Sequence, residues 1–310
     1  MSALICGSYA YDTIMVFGDR FQRHILPDQV HMLNVSFLVP ELRREFGGCA
    51  GNVAYNLKLL GGEAYGMGTV GHDFGPYAQW LDAQGISRKY LREVAAFTAQ
   101  AYITTDVDDN QITAFHPGAM SLSHQNTVPR GAGITIGMVS PDGRDGMLQH
   151  AEQFADAGIP FIFDPGQGLP MFDGPELAHF IDLANWVAVN SYEAALLCER
   201  TGLSLDEIAQ RCEALIVTAG GEGATIYADG TTIAIPAAKA SEIVDPTGCG
   251  DAFRAGLLYG LMHDCDWETT GRIASLLGAI KIEHPGTQNH AFTRPEFNVR
   301  FETEFGSALM

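Results

Sequence analysis

The sequence predicts an α/β protein: a mostly parallel central sheet with helices on both faces, joined by a small second β-sheet. Two observations carry this. Short apolar runs alternate with helix-patterned segments along most of the 310 residues, and strand–helix alternation of that length builds a parallel sheet covered on both sides. Two stretches, 13–45 and 97–118, hold β-type segments with no helix between them, which sets them apart as the small sheet, a lid on an otherwise single 1–310 domain.

The strands expected for the central sheet are Ala3–Cys6, Ala64–Val70, Ile134–Val139, Phe161–Phe163, Trp186–Val189, Ala214–Thr218 and Ala224–Tyr227. Helices are expected near Ala50–Leu60, Pro76–Gln84, Gly143–Ala157, Ser191–Thr201, Asp251–Met262 and Thr269–Glu283. In the first helix Val53, Ala54, Leu57 and Leu60 fall on one face at helical spacing. The lid segments are Thr13–Val16, Leu33–Leu38, Gln100–Thr105 and Ile112–Phe115, the last two joined by a turn at Asp106–Asn110. In open parallel sheets ligands bind beyond the carboxyl ends of the strands, so the loops there are where chemistry is sought.

Composition narrows the function. Apolar residues make up 46% and charged residues 18%, as in an ordered globular chain. The formal charge of −19 repels phosphate backbones and anionic lipid, so neither nucleic acid nor membrane is an expected partner. No apolar run approaches the roughly 18–20 residues of a membrane span, and the opening MSALICGSYAYD lacks a basic lead, which argues against a signal peptide. The six cysteines form no CxxC pair and no cluster at metal spacing, so reduced thiols in the cytoplasm are expected.

One loop stands out: Asp245-Pro-Thr-Gly-Cys-Gly-Asp251 leading into a helix. A glycine-rich turn at a helix N-terminus aims unpaired N–H groups outward, where the helix dipole adds positive charge. Such a site holds the anion formed in phosphoryl transfer, while Asp251 is placed to take a proton from a hydroxyl. Alone, the loop reads equally well as an ordinary N-cap. Three further segments join it. Gly47-Gly-Cys-Ala-Gly-Asn52 precedes a helix and lets a ligand approach the backbone, with Asn52 offering donor and acceptor to a diol. Asn190-Ser-Tyr-Glu193 sets oxygen groups suited to hydrated Mg²⁺ at a strand exit. Thr218-Ala-Gly-Gly-Glu-Gly223 follows an apolar strand and suits nucleotide phosphates. There is no GxxxxGK[ST], so a P-loop enzyme is excluded.

In order and content these motifs, with the early Asp12, resemble the ribokinase-like (PfkB) family of carbohydrate and purine kinases along nearly the whole chain. The resemblance implies ATP-dependent transfer to a primary hydroxyl. Asp251 would be the base and Gly248, Cys249 and Gly250 the anion hole. Asn190 and Glu193 would organise Mg²⁺, and Asn190, Thr218, Gly220, Gly221 and Gly223 would serve ATP. Asp245 and Thr247 would offer carbonyls to a monovalent cation such as K⁺. Within the family the chain is most similar to bacterial adenosine kinases, through Gly7-Ser8 with Asp12, Ser36-Phe37-Leu38, Thr104–Asp108, Phe115–Met120 and Asp164-Pro165. By that likeness Asp12 and Asn52 would hold the ribose hydroxyls beside Gly48, and Ser8, Ser36 and Gln167 would face the nucleoside. Tyr102 and Phe115 would sandwich the purine, giving adenosine kinase as the leading function and AMP as product. A sugar kinase for ribose or fructose, another nucleoside kinase, and a non-catalytic nucleoside-binding protein are the alternatives. A homodimer through the lid strands is a further expectation.

Overall fold

The computed structural model describes residues 1–25, 34–108 and 110–309. A nine-stranded sheet forms the centre. Its strands are β1 (Ser2–Cys6), β4 (Glu63–Val70), β5 (Ser87–Glu93), β8 (Ile134–Val139), β9 (Phe161–Phe163), β10 (Trp186–Asn190), β11 (Ala214–Thr218), β12 (Ala224–Ala228) and β13 (Thr231–Ile235). Their spatial order is β13-β12-β11-β10-β9-β8-β1-β4-β5. From β11 to β5 all pairs are parallel, and β12 and β13 close one side as an antiparallel hairpin.

The apolar runs alternate because both faces of the sheet are covered. In β1, Ala3 and Ile5 enter one core and Leu4 and Cys6 the other; in β10, Trp186 and Ala188 oppose Val187 and Val189 in the same way. The first core is closed by α1 (Cys49–Leu59), α2 (Gly75–Ala83), α7 (Cys249–Met262), α8 (Trp267–Ile282) and α9 (Arg294–Phe305). The second is closed by α3 (Arg144–Ala157), α4 (Gly174–Leu183), α5 (Ser191–Thr201) and α6 (Leu205–Ala209). Helices α7 and α8 touch along their backbones. A Cβ on Gly256 or Gly260 would lie 2.4 Å from Ala274 Cα or Thr270 Oγ1, so these glycines let α8 seat α7 and fix where Asp251 stands.

The second sheet has the order β3-β2-β6-β7, from β2 (Ala10–Val16), β3 (Glu41–Gly47), β6 (Ala99–Thr105) and β7 (Gln111–His116). It stands where expected, with one substitution of strand. Residues 34–38 are irregular rather than extended in a ladder, Leu33 lies outside the described residues, and the third strand is Glu41–Gly47. Its sequence ELRREFG shows no apolar alternation because most of the strand is exposed, so period-2 patterning had nothing to register. The Asp106 turn forms as read, its carboxylate accepting the N–H groups of Asp108 and Asn110 at 3.0 Å each. Among the described residues no helix is long and apolar enough to cross a membrane.

Candidate active site

A cavity of about 760 Å³ opens at the carboxyl ends of β1, β8, β9, β10 and β11, between the central sheet and one face of the second sheet. Most of the expected residues line it: Ser8, Asp12, Gly48, Asn52, Phe115, Gln167, Asn190, Glu193, Thr218, Thr247, Gly248, Gly250 and Asp251. At its start α1 is seated by Gly48, whose φ is +89° and whose absent Cβ would fall 2.5 Å from the Ser8 carbonyl. Only glycine supports that turn, and it brings α1 onto the floor of the cavity.

Asp251 lies in the first turn of α7, and burial pushes its carboxyl up to about 7. Nearby Asp164 pushes the same way, against Asn52 and Arg254, which favour the anion. Asn52 Nδ2 donates to Asp251 Oδ2 at 2.7 Å. The orientation of that amide is set from behind. Trp80 Nε1 donates to Gln288 Oε1 (3.0 Å), and Gln288 Nε2 donates to Asn52 Oδ1 (3.0 Å) and Tyr77 Oη (2.6 Å). An indole N–H only donates. It therefore fixes the Gln288 amide, which fixes the Asn52 amide, which turns its own N–H₂ to the carboxylate. Asn52 thus addresses Asp251, alongside the ribose role expected of it.

The N–H of Cys249 closes the turn onto the Pro246 carbonyl at 3.2 Å, and Cys249 does not line the cavity. Among the described residues the first-turn donors with no protein partner are the N–H groups of Gly250 and Asp251. Of the three N–H groups expected to form the anion hole, that of Cys249 is taken up by Pro246, while those of Gly248 and Gly250 have no backbone partner among the described residues, and the Asp251 N–H joins them. Gly248 supplies the bend, with φ +80° against Thr287.

At the other end Asp12 stands on β2 with its carboxyl raised to about 6, by burial first and then by Glu45 and Asp245. The cavity face of the second sheet also presents Ala10, Ala101, Ile103, Thr113 and Phe115. Strand alternation sends Tyr102 to the opposite face, where its hydroxyl donates to Gln100 Oε1 at 3.1 Å. The aromatic sandwich is therefore not formed: one ring, Phe115, faces the cavity, beside Ile103 and Met120. Ser36 is exposed and outside the cavity. Thr218 lines the cavity, whereas Gly220, Gly221 and Gly223 lie in the β11–β12 turn beyond it.

Asn190 and Glu193 form a capping box on α5: Asn190 N–H and Nδ2 donate to the Glu193 carboxylate at 2.8 Å each. Each carboxylate oxygen accepts one of these bonds and keeps acceptor capacity, and both residues line the cavity, which fits a hydrated Mg²⁺ held through water. The Asp245 side chain is taken up by the N–H groups of Thr247 and Gly286, 2.9 Å each, and does not reach the cavity.

Four residues of the site were not singled out by their local sequence. Arg254, one helical turn after Asp251, is buried and pairs with Asp164 at 3.2 Å; an Asp-x-x-Arg spacing at the start of a helix was its only signal. Asp164 itself directly follows β9 and was noted only as part of a likeness. Gln288 acts from the C-terminal turn. Asp142 lines the cavity with its carboxyl raised to about 8 by burial; Oδ1 accepts the Gly143 N–H and Oδ2 has no partner among the described residues.

A carboxylate at a helix N-terminus, unpartnered N–H groups beside it and a second buried carboxylate across one cavity are the arrangement expected of a phosphotransferase acting on a hydroxyl. Residues 12–294 match the pfkB family carbohydrate kinase, and the chain belongs to that family. It is 32% identical to a nucleoside kinase of Methanocaldococcus jannaschii over 274 residues, 87% of this chain and 89% of the relative. Among solved structures it is similar to the Burkholderia thailandensis nucleoside kinase in complex with inosine. That likeness has 57% identity and a TM-score of 0.90, and covers 99% of each chain. The same enzyme in complex with ADP-inosine gives 59% identity and a TM-score of 0.88, over 99% and 97% of the chains.

Proposed function

We propose that this kinase transfers the γ-phosphoryl group of ATP to the 5′-hydroxyl of purine nucleosides, adenosine and inosine among them, with Asp251 as general base. The observation that carries the reading is the shared cavity. Asp251 and the Gly250 amide stand at one end, Asp12 and Gly48 at the other, and the apolar wall Ala101, Ile103 and Phe115 offers a flat base a surface that a bare sugar would leave unfilled. With Tyr102 turned away and Gly168 lining the cavity without a side chain, few groups select among bases. That favours several purine nucleosides over adenosine alone, as does the inosine bound by the Burkholderia relative.

Asp251 in its ionised form accepts the hydroxyl proton as the oxygen attacks phosphorus. The Gly250 and Asp251 N–H groups take up charge on the transferring group, and Arg254 holds Asp164 and Glu193 in place around them. Mg²⁺, held through water by Asn190 and Glu193, would neutralise phosphate charge. The second sheet is read as a lid that excludes water on closing. Its outer face exposes Leu42, Tyr102 and Ile112 (64%, 44% and 44%), which suits a second copy; sedimentation would show a dimer that Ile112→Glu splits.

The test is an acceptor screen with Mg-ATP, comparing kcat/KM for adenosine, inosine, guanosine, ribose and fructose. A free sugar that outperforms the nucleosides tenfold would overturn the base-binding role of the wall.

A further inference from the structure

Lys281, in the last turn of α8, is 0% exposed. Lysine is almost never buried this deeply without partners, and those of Lys281 are unusual. Its ammonium donates to two backbone carbonyls, Asp245 at 2.7 Å and His284 at 3.0 Å. One carbonyl opens the loop that leads to Asp251 and the other belongs to the turn after α8. The same two segments are tied by the Asp245 carboxylate, which accepts N–H groups from Thr247 and Gly286, and by Ile282 O, which accepts the N–H groups of Val244 and Asp245. Lys281 does not line the cavity. A cation lodged among backbone carbonyls under the catalytic loop is what a bound monovalent ion would look like, except that this one is attached to the chain.

We propose that the ammonium of Lys281 is a built-in monovalent cation. It holds the loop 245–248, and through it the Gly250 and Asp251 amides, in place for phosphoryl transfer, so the enzyme needs no free K⁺. The expectation that Asp245 and Thr247 bind a separate cation does not fit, because the Asp245 carbonyl already accepts from one and a second positive charge there would be repelled. The inference rests on the reading of the Asp251 loop as catalytic, and Lys281 is in it a positioning residue.

The experiment compares turnover in choline, sodium and potassium chloride at equal ionic strength. The wild-type enzyme is expected to show equal kcat in all three, with a thermal midpoint that K⁺ leaves unmoved. Hydrogen bonds from a charged donor contribute about 1.5–3 kcal/mol, so Lys281→Met is expected to lower kcat about 10- to 100-fold with nucleoside KM kept. Its stem fills the space, so no salt restores it. Lys281→Ala opens the space; K⁺ or NH₄⁺ is expected to recover turnover and to raise the variant's thermal midpoint. Tenfold activation of the wild type by K⁺, a Lys281→Met enzyme with wild-type kcat, or a folded Lys281→Ala that no cation restores would each overturn the proposal. If neither variant folds, the wild-type salt series decides. Asp251→Asn, run alongside, keeps the two readings separate: its wild-type turnover in every salt would remove the mechanism, whatever Lys281 does.

Discussion

Replacing Asn52 with Leu removes the 2.7 Å hydrogen bond that its amide gives Asp251 while leaving a side chain of similar size. The carboxyl already stands at about 7, with burial raising it and this amide holding it down. A hydrogen bond to a charged group contributes about 1.5–3 kcal/mol and one pKa unit is 1.36 kcal/mol, so losing it raises Asp251 by about one to two units. A base works ionised, so wild-type kcat/KM should climb with pH through about 7 and level off above it. In Asn52→Leu the same limb should lie about one to two pH units higher. At pH 7 that alone makes the variant about 5- to 50-fold slower, from the ionised fraction. Loss of a ribose contact lowers the whole profile without moving its limb, so the two roles of Asn52 separate in one experiment. The assay is initial rate against pH at low nucleoside. An acid limb that stays in place, or moves down, refutes Asn52 as the group that sets the charge of Asp251.

Asp251→Asn should cost about 10²- to 10⁴-fold in kcat with nucleoside binding kept, which calorimetry would show. The same variant should melt higher than wild type at pH 8. A carboxyl raised from 3.8 to about 7 on folding contributes stability that is full below the lower value and lost as pH rises to the higher one, so the amide relieves a burden that is complete above about 7; equal melting at pH 8 would contradict that burial. Gln288→Leu should move the acid limb upward as Asn52→Leu does, by freeing the Asn52 amide to turn, and a profile like wild type would break the chain from Trp80. Phe115→Ala should raise nucleoside KM about 5- to 10-fold, whereas Tyr102→Ala should leave it unchanged, since that ring lies on the other face; the reverse ranking would restore the sandwich.

The sequence was legible where the chemistry is local. Gly248, Gly250 and Asp251 are neighbours at a helix start, and Asn190 caps its own helix with Glu193; spacing along the chain equals spacing in the molecule, so the motif shows. Seven of the central strands were legible because their apolar runs are continuous, whereas the edge strands β5 and β13, half exposed, were not. β3 was not, because an exposed strand need not alternate. Nor were Gln288 and Lys281, whose roles depend on partners 236 and 36 positions away. No pattern within one segment distinguishes a glutamine that orients an amide from one in any loop. Tyr102 shows the limit from the other side. Its residue type suited a base stack, yet in a strand one position decides the face, and the in-register pairs Ala101–Phe115 and Tyr102–Ala114 put Phe115 inside and Tyr102 out.

The residues hidden from the sequence share one task with Asn52, which was not hidden. Trp80, Gln288 and Asn52 hold the charge state and aim of Asp251, Lys281 holds the loop that carries it, and Arg254 sits one turn behind it between Asp164 and Glu193. Phosphoryl transfer asks little covalent chemistry of the protein and much positioning. The proposed base and the N–H groups proposed to hold the transferring charge lie within four residues of one loop, so small shifts of that loop would spoil both together. A short motif is enough to name the reaction, but holding it still takes side chains from four other parts of the chain. That division explains why the variants with the most to reveal lie outside the motif.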